Sequence, residues 1–428
     1  MSPSDTASVE SAPKKVLKFI TCPHCWQRFQ TCDIAWVARH EDLRGDSILG
    51  TDEFLRFMPT RFNVKCEALD ARGMACQALA CPRCHLTVPR MFLHYEPIIF
   101  SLIGVPASGK SYFLTAMTWE LGRILPTEFG LVFNDVDPYS NLTLKEYQKT
   151  LFLHPDQSAP VGIAKTQADS TAHYNTTMLD GQHTLQPRPL LFCMRPLREH
   201  PHAAESEELT RIVGLYDNAG EYFLPGPDAV ISPSTLHMAH SRVLLFLYDP
   251  SQDPRFRERC LSLSQDPQLT THAHTQLQSS ALIDAAARIR QHGHLAADKR
   301  LDQPLIVLVT KSDIWSGLLD EDVTREPLLP RHKPYRNVAA LDGARVHAVS
   351  RAIRKLMAEV APEFVGVAED ACREVIYMPV SSLGCSPMPG ESQLLLVKPE
   401  QIRPRWVTVP LLYAFARYAS GVIGATWQ

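Results

Sequence analysis

From residue 97 onward, apolar runs of strand length alternate with apolar residues at helical spacing. Ile98 to Ile103 holds a single polar position, Ser101, which is the pattern of a strand buried on both faces. Arg242–Tyr248, Pro304–Val309 and Val375–Val380 read the same way, and Pro189–Met194 and Thr210–Tyr216 are further strands. Ser111 to Leu125 carries Phe113, Leu114, Met117, Leu121 and Ile124 on one stripe, which predicts a helix ended by Pro126. Further helices are expected over 142–153, 275–291, 341–360 and 409–418, and a short strand over 129–133. Polar, Thr-rich sequence up to Pro187 lacks apolar periodicity and reads as a functional loop or a mobile insertion. Strands alternating with helices predict a mostly parallel α/β sheet with helices on both faces.

Polar motifs follow four of these strands. Gly104-Val105-Pro106-Ala107-Ser108-Gly109-Lys110-Ser111, with Tyr112 next, fits G-x-x-x-x-G-K-[ST] between a strand and a helix. The glycines let backbone N–H groups curl around phosphate oxygens, Lys110 adds positive charge, and the Ser111 hydroxyl can ligate Mg²⁺. The helix N-terminus favours the same anion. The other three are Asp217-Asn218-Ala219-Gly220-Glu221, Thr310-Lys311-Ser312-Asp313 and Ser381-Ser382-Leu383-Gly384. In a parallel sheet, ligands bind beyond the carboxyl ends of the strands, so all four motifs are expected on one rim.

The first 84 residues hold seven of the eleven cysteines. Cys22-Pro-His-Cys25 and Cys81-Pro-Arg-Cys84 are C-x-x-C pairs that can turn four thiolates onto one tetrahedral Zn²⁺, a closed and therefore structural site. Strands ending near Ile20 and Ala80 would lead into the turns. The 55 residues between Cys25 and Cys81 require an insertion, with Trp36, Leu55, Phe57, Met58 and Phe62 available for its core. Cys66, Cys76, His24 and His85 remain alternative ligands. Cys193, Cys260, Cys372 and Cys385 are scattered and read as ordinary core or loop residues.

A net charge of −3 argues against broad nucleic-acid or membrane-surface binding. Arg28, Arg61 and Arg83 of the cysteine region are diluted by Glu41, Asp42 and Asp52, so a nucleic-acid role for it is not expected. No apolar run reaches membrane-spanning length. Residues 1–15 are polar without an apolar signal core and read as a disordered lead-in, so a cytoplasmic location is the default. The expected organisation is a lead-in over 1–15, a zinc-ribbon module with an insertion over 16–95, and one α/β domain with long insertions over 96–428.

Over about residues 97–418 the ordered motifs resemble the Ras-like, translation-factor-related P-loop GTPases. The resemblance implies GTP or GDP with Mg²⁺ as ligands. Asp217 would hold Mg²⁺ through water, and the Gly220 N–H would meet the γ-phosphate. Lys311 would cover the guanine, Asp313 would accept from its N1–H and 2-amino group, and the Ser381–Leu383 loop would donate to O6. Thr166 or Thr184 would complete the Mg²⁺ shell. Glu221 stands where Ras relatives carry a water-orienting glutamine, so it is either a base or a charged switch residue, and hydrolysis can be slow without a partner's arginine. The Cys-pair ribbon before D-x-A-G-E is similar to bacterial double-GTPase-type conflict or signalling proteins. That likeness implies a protein partner reached through the switch segments or the ribbon. A nucleotide-dependent scaffold with negligible hydrolysis, and an ATPase sharing only the phosphate loop, remain the alternatives.

Overall fold

The computed structural model describes residues 15–136, 139, 141–163, 174–217, 235–270, 277–330, 338–390, 395–419 and 421–427. Two compact units divide between Glu96 and Pro97. The first also takes in Met178–Gln182, the turn of a hairpin with strands Tyr174–Leu179 and Gln182–Pro187. That hairpin lies inside the polar, Thr-rich stretch that reads as a functional loop or a mobile insertion.

The second unit is built on a seven-stranded sheet. Its strands are β1 (Pro97–Ile103), β2 (Leu131–Asp135), β3 (Leu190–Pro196), β4 (Arg211–Asp217), β5 (Val243–Tyr248), β6 (Leu305–Val309) and β7 (Val375–Pro379). They lie in the order β2-β3-β4-β1-β5-β6-β7. β1 pairs in parallel with β4 and β5, and parallel pairing continues through β6 to β7. β3 runs antiparallel to both β4 and β2. The mostly parallel α/β architecture expected from the alternation is the one observed.

Every residue of β5 and β6 is buried, which is why those runs carry no polar alternation. The covering helices are α1 (Lys110–Ile124), α2 (Leu142–Phe152), α3 (Leu236–Ala239), α4 (Gln278–His292), α5 (Gly343–Val360), α6 (Pro362–Ala371) and α7 (Val409–Tyr418). Neighbouring residues of β1 show that both faces are covered. The Phe100 ring meets Phe415 of α7 edge-on at 5.7 Å, while the Ser101 hydroxyl lies 2.5 Å from His237 of α3. Successive strand residues point to opposite faces, so α7 and α3 lie on opposite sides.

Two local expectations are corrected. Pro126 does not end the helical path, which continues as a wide π-type turn over Leu125–Phe129 and stops at Gly130 with φ 64°. Pro126 cannot donate to the preceding turn, and the path widens to π spacing at that point. In the first unit, the strands Phe19–Thr21 and Leu79–Ala80 lead into the cysteine pairs as expected. The insertion, however, leaves Met58 and Phe62 more than half exposed and Leu55 at its rim. Ile34, Ala35, Ala38, Ala68 and Leu79 are buried instead, around two polar hubs. Asp70 accepts from the N–H groups of Arg39, His40, Arg72 and Met74, and Asp46 accepts from those of Ile48, Leu49 and Arg56. Carboxylates that collect backbone donors let a short-stranded module close without a large apolar core.

Candidate functional site

Cys22, Cys25, Cys81 and Cys84 are all buried, and their sulfurs lie within 4.8 Å of one another. The two turns repeat each other. The N–H groups of His24 and Arg83 donate to Cys22 and Cys81 Sγ, both at 3.4 Å, and Trp26 and His85 both sit at φ 60°. The Cys22–Cys84 and Cys25–Cys81 sulfurs are 3.7 Å apart. A tetrahedron of Zn–S bonds has sulfur edges of about 3.8 Å, whereas a disulfide needs about 2.05 Å. The donor set therefore fits a four-thiolate zinc ion. Burial pushes the Cys22 thiol well above its ordinary value, so a metal bound there would have to displace its proton. None of the alternative ligands joins the cluster. Cys66 is exposed, Cys76 faces Asp70, His24 Nε2 donates to the Thr87 carbonyl, and His85 Nδ1 donates to Asp46.

In the second unit, parallel register carries the ends of β4, β1, β5, β6 and β7 to one rim. Leu102 pairs with Asp217, Ile103 with Phe246, Tyr248 with Val309, and Val309 with Pro379. β1 is where the chain order reverses across the sheet, the place where such folds hold ligands. The loop after β1 has Ala107 at φ 60° and Gly109 at φ 89°, a turn that gathers N–H groups into a concave nest. A side chain at Gly104 would crowd Ser108 Oγ at 2.9 Å and the Leu247 carbonyl at 3.1 Å. Lys110 is buried, and its ammonium donates to the carbonyls of Gly104 (2.8 Å) and Val105 (3.1 Å). Tyr112 points elsewhere: its hydroxyl donates to the Leu395 carbonyl and accepts from the Ile163 N–H.

Ser111 Oγ donates to Asp217 Oδ2 at 3.3 Å, while Asp217 Oδ1 is buried and has no hydrogen-bond partner among the described residues. Burial raises the Asp217 carboxyl to about 6, against the pull of Lys110 and Ser111. An orphaned carboxylate oxygen beside a hydroxyl fits a hard divalent cation such as Mg²⁺. Thr184 lies in the Gln182–Pro187 strand, where its carbonyl accepts from Thr177. Thr166, Gly220 and Glu221 lie outside the described residues.

At the β6 end, the Thr310 N–H and hydroxyl both donate to the Tyr248 carbonyl, which turns Lys311 into a left-handed conformation at φ 53°. Ser381 beyond β7 donates its hydroxyl to Asp313 and accepts from the Gly384 N–H. The structure thus joins the third and fourth motifs directly. Ser382 follows in the same turn, and the Leu383 carbonyl accepts from Arg403 N–H at 2.7 Å. A side chain at Gly384, at φ 71°, would collide with the Arg403 carbonyl. Sequence reasoning missed Asp249, the residue after β5, which is fully buried and receives the Lys311 ammonium at 2.7 Å. Its signal was present: Asp249-Pro-Ser ends an apolar strand in the same way as the other motifs.

No family model matches the chain, and no curated protein matches it. Solved structures that match include sup35 complexed with GDP, at 11% identity and TM-score 0.24 over 68% of this chain and 38% of that one. Others are the signal recognition particle receptor SRb-GTP/SRX complex from Chaetomium thermophilum (15%, TM-score 0.27, 69% and 94%) and elongation factor SelB from Methanococcus maripaludis with the GTP analogue GppNHp (9%, TM-score 0.22, 67% and 30%). The chain thus spans well under half the length of two of these. The strand order and the loop after β1 carry the assignment. The fold is a mostly parallel α/β sheet whose central strand β1 runs into a glycine-bounded loop. Among the described residues, no helix is long and apolar enough to cross a membrane.

Two outcomes are expected. Elemental analysis of purified protein should find about one zinc per chain, falling sharply in Cys25→Ser; metal-free wild-type protein would refute the four-thiolate site. Because the folded Asp217 carboxyl is raised from 3.8 to about 6, it favours the fold below pH 4, and that contribution is lost as pH rises through 6. Asp217→Asn should therefore stabilise the nucleotide-free protein at pH 7.5 by on the order of 1–3 kcal/mol, with the gap closing at pH 4. Thermal unfolding in magnesium-free buffer measures this.

Proposed function

We propose that this chain is a GTP-binding and GTP-hydrolysing switch. The observation that carries the reading is the Asp313–Ser381 bond beside Lys311, on the same rim as the phosphate loop. Guanine presents N1–H and a 2-amino group on one edge, a donor pair that a carboxylate held as Asp313 is held can accept. Adenine has no such pair. The phosphate loop alone would serve any nucleotide, so the base choice rests on Asp313. In this role Lys311 covers the guanine, and the Ser381–Leu383 turn offers backbone donors to O6.

For turnover, water attacks the γ-phosphorus in line as the bond to the β-phosphate oxygen breaks. Lys110 exchanges its loop carbonyls for phosphate oxygens, and the nest of N–H groups over residues 105–111 stabilises the charge that develops on the transferred group. Ser111 and Asp217 would hold Mg²⁺, which would supply charge neutralisation to the phosphates. Gly220 is assigned to the γ-phosphate and Glu221 to the attacking water. Thr166 is assigned to the metal shell ahead of Thr184, which the hairpin already engages. With glutamate in place of glutamine, unassisted hydrolysis is slow and a partner accelerates it. The protein partner engages the switch segments over 160–188 and 221–236 or the four-cysteine module. The setting is a cytoplasmic, multi-component bacterial conflict or signalling system.

Lys110→Ala should abolish GTP binding or turnover, and normal hydrolysis by that variant would sink the mechanism. Asp313→Asn should weaken GTP by about 100-fold while improving XTP, whose 2-oxo group needs a donor. Competition binding with labelled GTP against ATP and XTP reads this, and an unchanged preference would favour the ATPase alternative.

A further inference from the structure

Asp249 holds two groups that belong to different parts of the site. Its Oδ2 accepts from the Lys311 ammonium at 2.7 Å and from Gln252 Nε2 at 3.2 Å. Its Oδ1 accepts from the N–H (2.9 Å) and hydroxyl (2.7 Å) of Ser251, and Ser251 Oγ in turn lies 2.8 Å from the Lys311 ammonium. Gln278, the first residue of α4, clamps the backbone of Asp249 by accepting from its N–H and donating to its carbonyl. Gln252 is 3% exposed, and its Nε2 also donates to the Pro106 carbonyl of the phosphate loop at 3.0 Å. An unbroken path of hydrogen bonds therefore runs from Lys311 through Asp249 and Gln252 to Pro106.

We propose that Asp249 and Gln252 form a buried strut that sets the base contact of Lys311 and the direction of a phosphate-loop N–H together. This rests on the guanine-nucleotide reading above. A lysine stem covers a base usefully only when both of its ends are held. The left-handed backbone holds one end of Lys311, and Asp249 with Ser251 holds the other. At the far end of the strut, a trans peptide points its carbonyl and N–H in opposite directions. By drawing the Pro106 carbonyl towards itself, Gln252 turns the Ala107 N–H to the other side, which is the arrangement an anion nest requires. Buried ion pairs contribute little net stability against apolar replacements of similar volume. A fully bonded Asp249–Lys311 pair at a ligand rim is accounted for by positioning. Asp249 is thus a positioning residue that acts through Lys311, and Gln252 acts through the loop.

A double-mutant cycle on GTP affinity tests the strut, with the unfolding midpoint of each nucleotide-free variant measured alongside. Asp249→Asn should raise the GTP dissociation constant about tenfold, the scale of one charge-assisted hydrogen bond. In a Lys311→Ala background the same change should add less than about twofold, because its effect passes through Lys311. A residue of purely structural importance would multiply fully with Lys311→Ala. Should Asp249→Asn fail to fold, Ser251→Ala replaces it in the cycle, since Ser251 Oγ holds the same ammonium. Gln252→Leu should weaken GTP by a similar factor. Wild-type GTP binding with Asp249→Asn unchanged, or fully multiplicative, overturns the strut alone. A wild-type chain that binds no GTP overturns the proposed function, and the strut with it.

Discussion

Parallel pairing on both sides of β1 is the constraint on which the rest depends. Parallel neighbours end on the same side of a sheet, so once β1 pairs with β4 and β5, their terminal residues must meet. The pairing costs long connections, and each connection became a helix or an insertion. In exchange, residues more than a hundred positions apart, such as Ser111 and Asp217, come within 3.3 Å. Strands β5 and β6 are buried throughout and carry no charged side chain, so no charge inside them competes with those at the rim.

Charge buried at that rim follows two regimes. Asp249 and Lys311 satisfy each other and their neighbours, so their burial is compensated. Asp217 is left with an unpartnered oxygen and a carboxyl raised to about 6, so its burial is uncompensated without a cation. Groups left short of partners in this way mark where a ligand belongs, because the protein alone gains nothing from them. The cysteine cluster obeys the same logic with softer atoms. Four buried thiols at tetrahedral spacing make little sense as thiols.

The sheet was legible because strands buried on both faces leave long apolar runs, and the phosphate loop because its glycines are demanded by local geometry. Asp313 and Ser381 were legible as motifs, though not their mutual bond, since nothing local encodes a contact across two strands. The hairpin at 174–187 escaped notice because its few apolar residues, Tyr174, Met178, Leu179 and Leu185, are set among polar ones without a sustained period of two. Met58 and Phe62 misled in the other direction. In a small module braced by Asp46 and Asp70, backbone donors are collected by carboxylates, so an apolar residue has less need to be inside. Asp249 was overlooked because, although it ends an apolar strand as the other motifs do, an acid followed by Pro-Ser matches none of their spacings. Its meaning comes from Lys311, 62 positions away.

The separation of the two cysteine pairs has a consequence for how the chain is made. A tie between Cys25 and Cys81 closes a loop of 55 intervening residues, an entropic cost of roughly 4 kcal/mol that a metal must meet. The first pair emerges from the ribosome with half a coordination shell and must wait. The fourth thiol comes with Cys84, so the set of four is complete only once the whole insertion has been made. A metal at the four cysteines would tie the 55 residues between Cys25 and Cys81 in one step, and without it that insertion would be held only by its own short strands and by Asp46 and Asp70.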